Sequence, residues 1–278
     1  MRAFRGLCTF IVIGSLLFAG CDSLRSMVSH KNIAGRFYTG ALNERKLPQL
    51  TQSMDRIYAK DVKETQKKKP FIISNCVIHE VEKYVPTNSY SSYADWTNVI
   101  TSQSEISVAA FGGRKLYFSE GTAIRAGYQQ DLMAFYAAHV IAHSLLDHFN
   151  ERLHAEDMPD GVGNLLEAWT ENTQGFRFMA MALNGSPLTE DTLKPFSEEM
   201  EQEADKIAID ILAYAGFNPG NVLALLQNRI DDRSDQYFRI HPLTQSRFDN
   251  LAVLIESSAN LRALASTRNH HPECETLQ

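Results

Sequence analysis

Residues 131–150 read Asp-Leu-Met-Ala-Phe-Tyr-Ala-Ala-His-Val-Ile-Ala-His-Ser-Leu-Leu-Asp-His-Phe-Asn, and this stretch decides the architecture. Leu132, Met133, Phe135, Tyr136, Val140, Ile141, Leu145, Leu146 and Phe149 leave it almost no polar side. That pattern predicts a helix buried all round. Within it His139 and His143 stand one helical turn apart, so both imidazoles project from one face and can converge on one ion. A lone buried histidine is usually a hydrogen-bonded core residue; a pair at this spacing, followed by an acid-rich helix, is half a metal site.

The acid-rich helix is Glu201-Gln202-Glu203-Ala204-Asp205 and its surroundings. Ser197 is its expected N-cap with Glu198 and Glu199 in the first turn, and Gly216 followed by Pro219 is its expected stop. Glu201 supplies the hard anionic oxygen that a third ligand needs. Asp205, one turn on, can orient a ligating histidine from behind. Glu203 points elsewhere on the helix and is expected to face solvent.

Toward the N-terminus, residues 106–111 and 115–119 read as strands joined at Gly112-Gly113, a hairpin or bent edge. Residues 82–104, rich in Ser, Thr, Asn and Tyr, read as an irregular connection, and residues 71–81, rich in β-branched side chains, as a strand. Before them Leu50, Met54, Ile57, Tyr58 and Val62 follow helical spacing, and the lysines before Pro70 read as a solvated turn that ends that helix.

Four segments together resemble the minigluzincin zinc metallopeptidases. Ala110-Phe111-Gly112-Gly113 and the strand to Phe118 are similar to that family's edge strand, without its asparagine; Ala138 to His143, through His148, is similar to its Ala-His-Glu-Ile-Ala-His…His helix. Glu201 to Asp205 with Ala215-Gly216-Phe217-Asn218-Pro219 is similar to its Glu-x-x-x-Asp helix and that helix's ending, and His241-Pro242 with Arg247 and Leu251 to its His-Pro…Arg…Leu element. The matches run from about residue 108 to residue 251 in the family's order.

The resemblance implies an α+β domain with the motif helix under a small, mostly antiparallel sheet. It implies one zinc ion held by His139, His143 and Glu201, with Asp205 supporting a ligand. His241 would lie near the metal, facing substrate or the vacant coordination position, and His148 is read as structural. The departure is Val140, where the family has the glutamate of H-E-x-x-H. That glutamate takes the proton of the attacking water and hands it to the leaving amine, which valine cannot do. Such assistance is worth typically ~10²–10⁴-fold. Another carboxylate, such as Glu120 or Asp147, would have to migrate into hydrogen-bond reach to replace it. Loss of the glutamate also leaves a metallated site more electropositive, suited to retaining a peptide carbonyl or carboxylate uncut.

The 278-residue chain has a net charge of −6, which argues against nucleic acid as its main partner, and its 44% hydrophobic content is that of a folded protein. Arg2 and Arg5, an apolar run from Gly6 to Ala19, and Leu17-Phe18-Ala19-Gly20-Cys21 resemble the signal and lipobox of bacterial lipoproteins. The reading is therefore a signal peptide over residues 1–20, lipidation of Cys21, a membrane tether over 21–45, a metallopeptidase-like domain over 46–256 and a tail over 257–278. An ordinary secretory signal or an uncleaved anchor are the alternatives. All place the folded part outside the cytoplasm, on the periplasmic side of the cell envelope. There Cys76 and Cys274 can either pair or remain thiols.

The expected function is that of a membrane-anchored pseudopeptidase binding unfolded or extended envelope polypeptide beside the Gly112-Gly113 edge. Two rivals stand beside it: an active endopeptidase with another base, and a metal-free structural lipoprotein.

Overall fold

A computed structural model describes residues 69–85, 96–111 except 103 and 105, 115–146, 148, 196–232, 236–267, 272 and 274. The signal, Cys21, the tether, the expected helix over residues 47–62, Gly112-Gly113 and Asp147 lie outside the described residues.

Among the described residues the architecture is α+β, mostly helical, with one small sheet. Its elements are α1 (Lys69–Glu82), β1 (Thr97–Thr101), β2 (Val108–Phe111), β3 (Lys115–Ser119), α2 (Glu120–Arg125), α3 (Gln130–Leu145), α4 (Glu198–Tyr214), α5 (Pro219–Leu226), α6 (Gln236–Ile240), α7 (Gln245–Ser257) and α8 (Ala259–Thr267). The sheet has three strands in the order β1-β3-β2. β2 lies antiparallel to β3 with Val108 opposite Phe118, and β1 runs parallel to it with Thr97 opposite Lys115.

Helix α3 is the centre of the core. Every residue from Leu132 to His143 is buried, with α4, α1, α5 and the sheet packed around it. This is what an all-round apolar helix requires, because each of its faces needs a partner that excludes water. Its start is tied to α5 by Asp131, whose carboxylate accepts from the Asn218 backbone N–H and the Asn221 amide, both at 2.7 Å.

Both ends of α4 are set by local chemistry. The Ser197 hydroxyl accepts from the Met200 N–H, capping the first turn. At the other end Gly216 takes a φ of +82°, and Phe217 N–H reaches back to the Leu212 carbonyl. A side chain is disfavoured at that left-handed position, so glycine ends the helix there.

Three local expectations are corrected. Residues 71–81 are not a strand but belong to α1, whose buried residues Ile73, Ser74, Val77, Ile78 and Val81 form a helical stripe against α3 and α2. β-branching is only a weak preference, and tertiary packing of a stripe at helical spacing overrides it. Pro70 falls in the first turn of α1, where no backbone N–H is required, so it helps begin a helix rather than end one. Within the stretch read as irregular, residues 97–101 form β1, completing the sheet on the far side of β3.

Beyond residue 256 the chain continues as α8, which packs on α4 and α7, and Cys274 is disulfide-bonded to Cys76 on α1. The bridge closes a loop of 198 residues and so joins the two ends of the described fold. Among the described residues no helix is long and apolar enough to cross a membrane.

Candidate metal centre

Four donors from three segments meet at one point: His139 and His143 from α3, Glu201 from α4, and His241 just after α6. His139 Nε2 lies 3.0 Å from His143 Nε2, 3.3 Å from His241 Nδ1 and 3.2 Å from Glu201 Oε2. Glu201 Oε1 lies 3.3 Å from His143 Nε2 and 2.9 Å from His241 Nδ1. In a tetrahedral site with metal–nitrogen bonds of about 2.0–2.1 Å, neighbouring donors are about 3.3–3.4 Å apart. The observed contacts, 2.9 to 3.3 Å, are at or slightly below that spacing.

The chemistry of the donor set fits a cation. His139 Nδ1 lies 2.9 Å from Asp205 Oδ1, so the Asp205 carboxylate faces that nitrogen and Nε2 is the nitrogen directed at the cluster. Glu201 Oε2 is buried with no well-formed hydrogen bond of its own, although the Arg247 guanidinium and His139 press against it. Three imidazole nitrogens and a carboxylate turned onto one point cannot all satisfy one another with protons. A divalent ion satisfies all four.

Arg247, on α7, holds the anionic side of the site. Its Nε and Nη2 grip the Asp205 carboxylate at 2.6 and 2.7 Å, and Nη1 contacts Glu201 and donates to the carbonyls of His241 and Pro242 at 3.3 and 3.1 Å. One guanidinium thus binds the α4 acids to the turn that carries His241. Aromatic rings fix the remaining freedom: Tyr237 stacks on His241 with centroids 4.7 Å apart, and Phe196 lies 4.1 Å from His143.

The ionisation states follow from burial and charge. Burial opposes ionisation of Glu201 and Asp205, but Arg247 above all, with the neighbouring histidines, holds both carboxyls below their ordinary range. Burial pushes His143 well down and His241 to about 4, in both cases partly offset by Glu201. Burial also opposes the charge of His139, but Glu201 and Asp205 outweigh it and raise that group. Two neutral imidazoles facing an ionised carboxylate are a metal-ready arrangement.

Val140 is 3% exposed and belongs to the apolar core cluster. Glu120 is buried at the start of α2 but is not one of the converging donors. Asp205 stands where the sequence puts it, behind His139. His241 is closer in than a flanking residue, being itself one of the four donors. Glu203 does not face solvent freely: its side chain is 17% exposed and its Oε2 lies 3.0 Å from His148 Nε2. The expectation for it rested on helical phase alone, which ignores a partner arriving from elsewhere. In the sequence Arg247 is matched as part of the His241-Pro242…Arg247…Leu251 element but has no role assigned, since nothing local ties an arginine to Asp205, 42 residues earlier.

An α+β domain with paired histidines on a buried helix, a glutamate from the next long helix and an Asp behind the first histidine defines the zinc metallopeptidase class. The chain belongs to peptidase family M48, whose family model matches residues 76–255. It is also similar to the beta-barrel assembly-enhancing proteases of Escherichia coli strain K12 and of Shigella flexneri, at 26% identity over 150 residues in each case. Those residues are 50% of this chain and 30% of the relative, so the similarity covers under a third of the relatives' length.

Proposed function

We propose that the protein is a lipid-anchored, periplasm-facing member of the M48 family that binds zinc and captures unfolded or unassembled envelope polypeptide without cutting it. The observation that carries this reading is Val140, buried and apolar at the position of the general base, beside a complete set of metal donors. His139, His143, Glu201 and His241 would hold the ion. When bound, zinc supplies Lewis-acid polarisation of a carbonyl and a fixed positive charge.

The protein's own residues do the rest, and they favour holding over hydrolysis. Catalytic zinc sites keep a position open, whereas His241, as a fourth donor, would compete with water or substrate for that position. Val140 can neither accept nor return a proton. Glu201, Asp205 and Arg247 sum to one negative charge, so a divalent ion leaves the centre with one positive charge that a glutamate at 140 would have cancelled. An extended chain can add to β2, which pairs with β3 on one side within the described sheet. The Cys76–Cys274 disulfide suits an oxidising compartment, in keeping with the lipobox-like Leu17–Cys21 segment. The relatives' name, which couples a protease to β-barrel assembly, supports polypeptides under assembly as the clients.

The test is degradation of an unfolded protein by the full chain in detergent, with zinc or with chelator. The natural protein is expected to retain the substrate in co-sedimentation and leave it intact. Val140→Glu combined with His241→Ala, which restores a base and frees a corner, is expected to cut it. Chelator-sensitive cleavage by the natural protein would overturn the proposal and assign it an active endopeptidase with another base. A purified natural protein that takes up no zinc would instead support a metal-free structural role.

A further inference from the structure

His148 and Glu203 lie outside the donor set, yet they are joined to it by a continuous line of short contacts. His143 Nδ1, on the side of the ring away from the cluster, is 3.0 Å from His148 Nδ1, and His148 Nε2 is 3.0 Å from Glu203 Oε2. His148 is fully buried, and its ring meets that of His143 at 71° with centroids 5.0 Å apart. We propose that Glu203 and His148 are positioning residues for the metal centre, acting as a carboxylate–imidazole relay that fixes the ligand His143. The proposal rests on the zinc-binding part of the function proposed above.

The order of protons along the chain follows from what each atom can do. An ionised carboxylate only accepts, so His148 Nε2 carries the proton that faces Glu203. The Nδ1–Nδ1 contact needs one of the two rings to donate, and because the Nε2 of His143 faces the donor cluster, it is the Nδ1 of a ligating His143 that is free to donate to His148. That leaves the His143 Nε2 lone pair directed at His139, Glu201 and the ion position.

The geometry of α4 explains why an additional imidazole is needed. At about 100° per residue, Glu203 lies roughly 200° round the helix from Glu201, so it cannot reach the back of a ligand directly as Asp205 does. His148, just past the end of α3, spans that gap. Helix α4 therefore supplies one acid to the ion and one support to each histidine of α3: Asp205 directly to His139, and Glu203 through His148 to His143.

The experiment measures Zn²⁺ affinity of the full chain in detergent by competition with a chromophoric chelator, together with the visible spectrum of the Co²⁺-loaded protein. The natural protein and Glu201→Gln are the reference pair, since a natural protein that binds no better than Glu201→Gln shows that the zinc reading has failed. Given zinc binding, His148→Phe is expected to weaken it by ~10–100-fold, the usual cost of losing a ligand's supporting hydrogen bond, and to shift the Co²⁺ bands. Glu203→Gln, at a partly exposed position, is expected to weaken binding by about tenfold, the low end of that range. The double variant is expected to lose no more than His148→Phe alone, because both act through one contact. Unchanged affinity and spectrum in both variants, with only a lower melting temperature, would overturn the proposal. If His148→Phe does not fold, Glu203→Gln decides by the same criterion.

Discussion

The two halves of this centre differ in how much structure stands behind them. Around the ligands, every donor is braced: His139 by Asp205, His143 by His148, Glu201 by Arg247, and His241 by Tyr237 and the Arg247 contacts to its turn. At position 140, one residue along the same helix, there is only a buried valine in the apolar cluster. On the function proposed above, the difference teaches that coordination and proton transfer are separable in this fold. Ligands are held from α3, α4 and the turn after α6, whereas the base is one side chain that can be exchanged for an apolar one while the helix stays packed.

The strongest way to break the comparison is to refill position 140. Val140→Glu with His241→Ala is expected to raise zinc-dependent cleavage of an unfolded substrate by ~10²–10⁴-fold over His241→Ala alone, read as initial rates. No gain would mean that the cleft has diverged along with the base. The braced half is probed next by Arg247→Leu, which strands the buried Asp205 and Glu201 carboxylates. A loss of about 3–5 kcal/mol in chemical denaturation is expected, the usual cost of removing one partner from a buried ion pair. A loss below about 1 kcal/mol, typical of surface pairs, would show that the guanidinium is not the clamp.

A smaller effect is expected from the covalent brace that lies away from both halves. Cys274→Ser should lower stability by about 2–5 kcal/mol, since the bridge closes a long loop. Reductant should lower the melting temperature of the natural chain and leave that of Cys274→Ser unmoved. Zinc affinity should be the same in both, because the bridge joins Cys76 and Cys274, neither of which is a donor.

The pH dependence of the metal-free protein sharpens the picture of the donors. His241 has its folded pKa pushed from 6.5 to about 4 by burial, so the unfolded chain takes the proton first as pH falls. Stability is then present above 6.5 and is lost as the pH falls toward 4, by about 3 kcal/mol for this group. His143 acts in the same direction, and His139, whose pKa is raised, acts in the opposite one. Denaturation midpoints measured from pH 7.5 to 4 in chelator, for the natural protein and His241→Phe, should show the slope reduced in the variant.

Much of the ligand geometry was legible because it is local or is carried by helix periodicity. Two histidines four apart must share a face, and Glu201 and Asp205 repeat that spacing on the second helix. The Ser197 cap and the Gly216 stop are likewise rules about a few neighbouring residues. Reading failed where the deciding partner was distant. The β-branched segment at 71–81 reads as a strand until α3 is available for its stripe to pack on. Glu203 looks solvent-facing until His148, 55 residues away, is placed against it.

By itself the sequence determined the buried motif helix, the α+β class, the spacing of His139, His143, Glu201 and Asp205, and the absence of a glutamate at 140. Only the tertiary structure decided that His241 joins the donor cluster, that Arg247 ties both acids to its turn, that His148 links Glu203 to His143, and that Cys76 meets Cys274. The physical reason is range: helical phase acts over one or two turns of chain, whereas these four contacts exist only once separate helices have been packed against one core.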